Sequence, residues 1–281
     1  MKTNTVLLTG VPRSGTSLAC RLLDGGHDAL ALSEPLRLDE IRSLDCLNDA
    51  VSYVDTRISD IRRSVLRDQK APSTHFAGQL SDARVSATAS DTGLRAPQGE
   101  QGEIHVHKSL SPAFQLFVKH NALFTALLQP LSLLYRCVAI VRNPLAVLAS
   151  WHTVDLPVNR GRVPVAEQFD VDLRETLKGE TSTLQKQVDI LDWFFARYIQ
   201  ALPAEQVVRY EDVVDSGGMA LYQACSAEGT VDATLSARND SDLYRDVDAG
   251  VLLSALLDQE GSWRALYTEV DLESCADALR G

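Results

Sequence analysis

The chain has 281 residues, 45% of them hydrophobic and 23% charged, which is typical of a globular protein with one sizeable core. Its net charge of −11 argues against a general nucleic-acid binder and against docking on an anionic membrane. No apolar run is long enough to span a bilayer, so no membrane insertion is expected. We predict one domain over residues 1–281, in which an anionic ligand would need a local pocket of arginine and lysine side chains.

The cysteines are odd in number and widely spaced, with no CxxC pair and no metal-ligand spacing. We therefore predict reduced core residues and no metal site. Met1-Lys2 leads directly into a predicted strand, which shows no signal-peptide pattern, and the prediction is a cytoplasmic protein. The residues concerned are Cys20, Cys46, Cys137, Cys225 and Cys275.

The N-terminal region predicts a strand, a glycine-containing loop and a helix. Residues 5–8 are apolar and residues 18–23 have helical spacing, with Gly25-Gly26 as the stop. In this geometry the loop N–H groups and the helix N-terminus converge on one point, where an anion is favoured. An ordinary glycine turn in an α/β protein is the alternative interpretation.

Residues 10–17, GVPRSGTS, nearly form a nucleotide-binding P-loop, but Thr16 stands where the P-loop has lysine. The cation is Arg13, which suggests an anion shorter than a triphosphate. The segment resembles the 5′-phosphosulfate loop of sulfotransferases that use 3′-phosphoadenosine 5′-phosphosulfate (PAPS), most of all bacterial members and the tyrosylprotein branch. The resemblance implies a P-loop-like three-layer α/β sandwich with a central parallel sheet flanked by helices. It also implies cofactor contacts from Pro12, Arg13, Ser14, Gly15, Thr16 and Ser17.

A second strand is predicted over residues 29–32, and it ends at Ser33-Glu34-Pro35. Ligands of open α/β sheets bind at the carboxyl edge of the strands, which would bring Glu34 beside the loop. A solvated turn residue is the alternative. By resemblance to the family, Glu34 is the candidate general base that takes the proton of an acceptor hydroxyl.

Residues 38–67 predict one or two surface helices, and residues 84–103 predict a mobile loop because they are small, polar and contain glycine and proline. A lid over the substrate is the alternative for this loop.

Residues 104–108 alternate like a strand, and a helix is predicted over residues 114–128. By resemblance, Lys108 is the strand-end lysine that assists catalysis. Leu110 stands where many cytosolic members of the family carry a catalytic histidine, which favours Glu34 as the base. His107 is a second candidate for proton transfer.

The clearest strand of the sequence covers residues 135–141 and runs into Arg142-Asn143-Pro144, before a helix over residues 145–151. This unit resembles the 3′-phosphate motif of the family and implies that Arg142 and Ser150 bind that phosphate. A surface ion pair of the arginine is the alternative.

The remaining third of the chain predicts a loop over residues 154–174 and a long amphipathic helix over residues 181–202. Residues 207–212 resemble a family strand that ends in Tyr-Glu-Asp, which implies that Tyr210 lies near the adenine and ribose. Near the C-terminus, Gly261-Ser262-Trp263-Arg264 partly resembles the closing motif, so Arg264 is a candidate for the 3′-phosphate.

Together these motifs imply a PAPS-dependent O-sulfotransferase that acts by in-line transfer, with Glu34 as base and with Arg13 and Lys108 neutralising charge without a metal ion. The acceptor would carry a hydroxyl group on a small molecule, a carbohydrate, a lipid or a peptide tyrosine. The product would be adenosine 3′,5′-bisphosphate. A P-loop small-molecule kinase and a non-catalytic nucleotide-binding protein are the alternatives, and the oligomeric state is left open.

Overall fold

The computed structural model describes residues 2–44, 46–76, 85–86, 88, 90–91, 93–229, 231, 234–236 and 242–280. Seven strands lie within these residues: β1 (Lys2–Gly10), β2 (Ala29–Ser33), β3 (Lys70–His75), β4 (Glu100–His105), β5 (Gln115–Lys119), β6 (Tyr135–Val141) and β7 (Val207–Arg209). Five of them form a parallel sheet in the order β2-β5-β1-β6-β7. The predicted α/β fold with a central parallel sheet is confirmed.

The sheet is covered on both faces, as its nearly continuous apolar strands require. Side chains alternate along each strand, so Leu7 of β1 enters one core cluster, whereas Val6 and Leu8 enter the other. In the same way, Ala139 and Ile140 of β6 belong to opposite clusters. The result is the expected three layers.

Thirteen α-helices lie within the described residues: α1 (Thr16–Asp24), α2 (Leu38–Arg42), α3 (Leu47–Asp68), α4 (Asn121–Ala126), α5 (Leu128–Leu134), α6 (Pro144–His152), α7 (Pro164–Phe169), α8 (Val171–Lys178), α9 (Thr183–Ala201), α10 (Tyr210–Asp215), α11 (Met219–Cys225), α12 (Ala249–Leu257) and α13 (Glu269–Arg280). Side chains of α1, α10 and α11 cover one face of the sheet, and those of α3, α6, α9, α12 and α13 pack in the larger cluster on the other. None of the helices in the described part of the chain combines the length and the apolar character that crossing a bilayer requires.

The most consequential error of the sequence analysis concerns residues 114–128, which it predicted as one helix. Residues 115–119 instead form β5, which lies between β1 and β2 in the sheet. Leu116, Phe117 and Val118 are fully buried, and a short apolar run of this kind fits a buried strand and a buried helix equally well by periodicity. The helical part of the segment is divided between α4 and α5.

The segment predicted as a mobile loop, residues 84–103, is only partly described. Arg84, Ala87, Ala89 and Thr92 lie outside the described residues. Its last four residues belong to β4, which pairs with β3 in a two-stranded antiparallel sheet, and Arg95 forms a bridge with Val154. The loop predicted over residues 154–174 likewise contains α7 and the start of α8.

All five cysteines are described, and no disulfide joins any two of them. Cys20, Cys137, Cys225 and Cys275 are buried, as predicted for core residues. Burial raises the pKa of the Cys137 thiol to about 12 and that of Cys275 to about 11. Cys46 differs, because it is exposed and its Sγ accepts a hydrogen bond from the Asp49 N–H at the start of α3.

Candidate active site

The loop between β1 and α1 is fixed by hydrogen bonds to the neighbouring strand and helix. The hydroxyl of Ser14, which is fully buried, donates to the Ile140 carbonyl at 2.6 Å. The indole N–H of Trp151 donates to the Pro12 carbonyl at 2.8 Å. The hydroxyl of Ser14 is therefore hydrogen-bonded to strand β6. Ser14, a predicted cofactor contact, is not among the residues that line the cavity described below.

Two loop residues adopt left-handed backbone conformations. Arg13 has φ 76° and Gly15 has φ 90°. A Cβ atom at Gly15 would lie 2.5 Å from Cδ2 of Tyr210, so glycine is needed here for space as well as for conformation. The close approach of the loop to Tyr210 brings two predicted cofactor contacts together.

The first turn of α1 is the part of the loop whose geometry suits an anion. Gly15 is its N-cap residue and provides no side-chain cap, which leaves the first N–H groups available to a ligand. Thr16, Ser17 and Leu18 line the cavity. The positive end of the helix dipole favours a negative charge at this point.

Arg13 and Arg142 are linked to each other across the loop. Nε of Arg13 donates to Oγ of Ser150 at 3.1 Å, and Nη1 of Arg142 donates to the Arg13 carbonyl at 3.3 Å. Arg142 is only 6% exposed, and its guanidinium carbon lies 5.0 Å from the centre of the Tyr210 ring. Arg13, Arg142 and Tyr210 line the cavity, whereas Ser150 is fully buried behind Arg13.

Glu34 follows β2 and forms an ion pair with Lys119, the last residue of β5. The distance from Oε1 of Glu34 to Nζ of Lys119 is 2.7 Å, and the backbone N–H of Glu34 donates to the Lys119 carbonyl at 2.7 Å. The lysine side chain is 3% exposed and the glutamate side chain 34%. Glu34 has φ 52°, a left-handed backbone conformation that is uncommon for residues other than glycine. This pair lies at the carboxyl edge of the sheet, on the wall of the cavity.

His120 follows Lys119 and was missed by the sequence analysis, which looked for a histidine near Lys108 and found Leu110. The imidazole is 3% exposed and lines the cavity. Its Nε2 accepts the backbone N–H of Leu36 at 3.1 Å, so this nitrogen carries no proton in that arrangement. His120 thus supports the turn that carries Glu34. The sequence did contain one indication of His120, which is its position directly after a short apolar run that ends in lysine.

The structure places Lys108, the predicted catalytic lysine, outside the lining of the cavity. Its Nζ donates to the carbonyl oxygens of Asp24 and Ala29 and lies 3.1 Å from Oδ1 of Asp24. Asp24 ends α1 and Ala29 begins β2, so Lys108 lies at the amino edge of the sheet. The length of β2, roughly 13 Å at 3.3 Å per residue, separates it from Glu34. Lys119 is the strand-end lysine that the site contains.

Arg264, the predicted 3′-phosphate contact near the C-terminus, has hydrogen-bond partners close to it in the sequence. Its guanidinium donates to the carbonyls of Gln259 and Leu257, at 3.0 Å each, and to Oε1 of Glu269 at 2.8 Å. It is not among the cavity-lining residues. These local bonds stabilise the connection between α12 and α13, which explains the arginine without a phosphate ligand.

The described site residues surround a cavity of 860 Å³. Its described lining carries seven cations and one carboxylate, that of Glu34, although the whole chain has a net charge of −11. The cations are Arg13, Arg21, Arg42, Arg95, Lys119, Arg142 and Arg162. A concentration of positive charge in an acidic protein is a specific feature that favours an anionic ligand.

Neither a scan against protein-family models nor a search of curated proteins gave a match. Among solved structures, the chain is similar to a sulfotransferase domain from the curacin biosynthetic pathway, with 12% identity, a TM-score of 0.38, and coverage of 98% of this chain and 95% of that one. It is also similar to the sulfotransferase STF1 of Mycobacterium tuberculosis, with 13% identity, a TM-score of 0.32, and coverage of 99% and 76%. Likeness at these TM-scores assigns no activity to the chain.

Proposed function

We propose that this protein is a sulfotransferase that moves the sulfuryl group of PAPS to an acceptor hydroxyl. One observation carries the proposal: the anion-binding loop, the cations Arg13, Lys119 and Arg142, and the carboxylate Glu34 all line one cavity. The loop and the cations suit a highly anionic donor, and the carboxylate suits a hydroxyl that must lose its proton.

The residues at the donor end of the cavity fit PAPS. The first turn of α1 offers N–H donors for the phosphosulfate, and Arg13 supplies the cation that the P-loop lysine would supply to a nucleoside triphosphate. Arg142 is almost fully buried beside the Tyr210 ring, and a buried guanidinium is stabilised by an anion such as the 3′-phosphate. The Tyr210 ring offers an apolar surface for the adenine. A contact from Ser150 to the 3′-phosphate stays a prediction.

In the proposed step, an acceptor oxygen attacks the sulfur while the bond from sulfur to the bridging oxygen of PAPS breaks. Glu34 takes the proton of the acceptor hydroxyl, and adenosine 3′,5′-bisphosphate leaves with the bonding electron pair. Lys119 and Arg13 stabilise the charge that develops on the bridging oxygen. Lys119 takes the role that the sequence analysis gave to Lys108, because it lies 2.7 Å from the base.

The proposal is tested by measuring transfer from labelled PAPS to a panel of phenols, alcohols, sugars and tyrosine peptides. Glu34→Gln is expected to lower the rate by about 10²–10⁴-fold, because it removes the base and keeps the shape. Arg13→Ala is expected to lower it by about 10²–10³-fold.

The control variant is Arg264→Ala, which removes an arginine outside the cavity and should transfer at the wild-type rate. Full activity in Glu34→Gln would remove the glutamate from the mechanism, and wild-type protein that transfers to no member of the panel would contradict the proposal.

Two finer parts of the proposal rest on the sequence alone. Relationship to the bacterial and tyrosylprotein branch rests on the GVPRSGTS segment, and the cytoplasmic location rests on the spacing of the cysteines. Neither enters the mechanism.

A further inference from the structure

Arg95 is a buried cation on the wall of the cavity that the proposed reaction does not use. It is 6% exposed and lines the cavity, and no carboxylate of the described residues lies within ion-pair distance of it. By contrast, Arg162 on the same wall is neutralised by Glu167, with Nη2 2.6 Å from Oε2. A buried charge without a counter-charge costs free energy that an anionic ligand would offset.

Thr153 holds the Arg95 guanidinium through two of its nitrogens. Nη2 donates to the Thr153 hydroxyl at 2.7 Å, and Nε donates to the Thr153 carbonyl at 3.4 Å. The backbone N–H of Arg95 donates to the same carbonyl at 3.0 Å. Nη1 has no hydrogen-bond partner among the described residues, so one donor of a fixed guanidinium is left for a ligand.

Arg95 is distinct from the donor-binding cations in its place along α6. Arg142 lies just before the start of α6 and Thr153 just after its end, a separation of about 13 Å for a nine-residue helix. Ser150 connects Arg13 to the residue that holds Arg95. Its hydroxyl accepts a hydrogen bond from Arg13, and its carbonyl accepts one from the Thr153 hydroxyl at 2.9 Å. Arg95 is therefore linked to Arg13 through Thr153 and Ser150, and lies about the length of α6 away from Arg142.

Arg95 shares the cavity with a set of apolar side chains. Burial lowers the pKa of the Arg95 guanidinium, which is still cationic at neutral pH, and the phenol of Tyr244 is close enough to counter part of this shift. Apolar side chains also line this cavity, among them Val85, Pro97, Leu156, Val158, Val163 and Leu243.

From these contacts we infer that the acceptor of the proposed sulfotransferase is an apolar molecule that carries, besides its hydroxyl, a carboxylate bound by Arg95. The inference rests on the proposed function and names its substrate class. The apolar lining binds the body of the acceptor, Arg95 binds its carboxylate, and the hydroxyl then lies at the end of the cavity that contains Arg13 and Glu34.

The test is a calorimetric titration of the protein saturated with adenosine 3′,5′-bisphosphate, using medium-chain ω-hydroxy acids and their methyl esters as probes. At least one acid is expected to bind about tenfold or more tightly than its ester, which is typical for a hydrogen bond to a charged group. Arg95→Gln should remove this preference, and Arg95→Lys should retain part of it.

Arg42→Gln is the matched control, because Arg42 is an exposed cation on the same cavity. An equal loss in Arg42→Gln would show a general charge effect and overturn the inference. If Arg95→Gln does not fold, the comparison of Arg95→Lys with Arg42→Gln decides the matter, and a preference that is weaker in Arg42→Gln than in Arg95→Lys overturns the inference.

The two proposals fail in different ways. If the bisphosphate binds and every acid binds no more tightly than its ester, the inference is wrong and the sulfotransferase proposal stands. If the bisphosphate does not bind, the proposed function itself fails.

Discussion

Two residues of the site hold left-handed backbone conformations without being glycine: Arg13 with φ 76° and Glu34 with φ 52°. Such conformations cost of order 1–3 kcal/mol each and persist where the surrounding structure enforces them. For Glu34 the enforcing bonds are its N–H to the Lys119 carbonyl and the Leu36 N–H to His120. Both strained residues therefore have a role in the proposed mechanism: Glu34 is the base and Arg13 is the cation of the loop.

Lys119 and Lys108 lie at opposite edges of the sheet and give a matched pair of variants. Lys119→Met removes the buried cation beside Glu34 and is expected to lower the transfer rate by about 10²–10³-fold, because charge on the leaving oxygen loses its stabilisation. Lys108→Met removes a lysine at the opposite edge of the sheet and should transfer at nearly the wild-type rate. Transfer assays with both variants, together with their thermal unfolding, check the assignment. Equal losses in the two would contradict it.

At the scale of elements, the wall of the cavity formed by α7 is secured by the packing of α8 on α9. Asp170 precedes α8 and accepts hydrogen bonds from the Leu173 N–H at 3.0 Å, from the Trp193 indole at 2.6 Å and from Arg197. Burial alone would raise the pKa of Asp170, but these hydrogen bonds outweigh it and hold the pKa below the usual value. A single carboxylate thus caps one helix and ties it to another.

Asp170 should give the protein a specific loss of stability in acid. Because its pKa is lower in the folded than in the unfolded state, its contribution is present above about pH 4 and is lost as the pH falls through the folded-state pKa. Asp170→Asn keeps the cap and removes the charge, so it should lower the free energy of unfolding by about 2 kcal/mol at neutral pH. Urea unfolding at several pH values should show this difference shrinking below about pH 4.

The comparison variant Asp170→Ala also removes the cap and should cost about 1 kcal/mol more. A difference between wild type and Asp170→Asn that does not change with pH would contradict the role of the charge.

At the scale of the whole molecule, the parts of the cavity that could be predicted from the sequence are those whose structure is determined by residues close together in the chain. The loop at residues 10–17 and the unit around Arg142 are each a strand, a turn and a helix in immediate succession, and both line the cavity. Lys119 and His120 were missed because the position of β5 between β1 and β2 depends on pairing with distant segments. The position of Arg264 outside the cavity lining could not be read from sequence, because it depends on hydrogen bonds to Glu269 and to the end of α12.

The charge distribution also belongs to the whole molecule. An acidic chain with seven cations in the described lining of one cavity should repel most polyanions and still draw a small anionic ligand into that cavity. The central claim is therefore about which small anion binds there.

The most direct measurement is a calorimetric titration of the purified protein with adenosine 3′,5′-bisphosphate, with ATP and Mg²⁺ as the comparison. The proposal predicts selective binding of the bisphosphate, which is lost in Arg13→Ala, weakened in Arg142→Ala and unchanged in Arg264→Ala. Selective binding of ATP would contradict it and favour a P-loop kinase, and binding of neither nucleotide would contradict any nucleotide-dependent function.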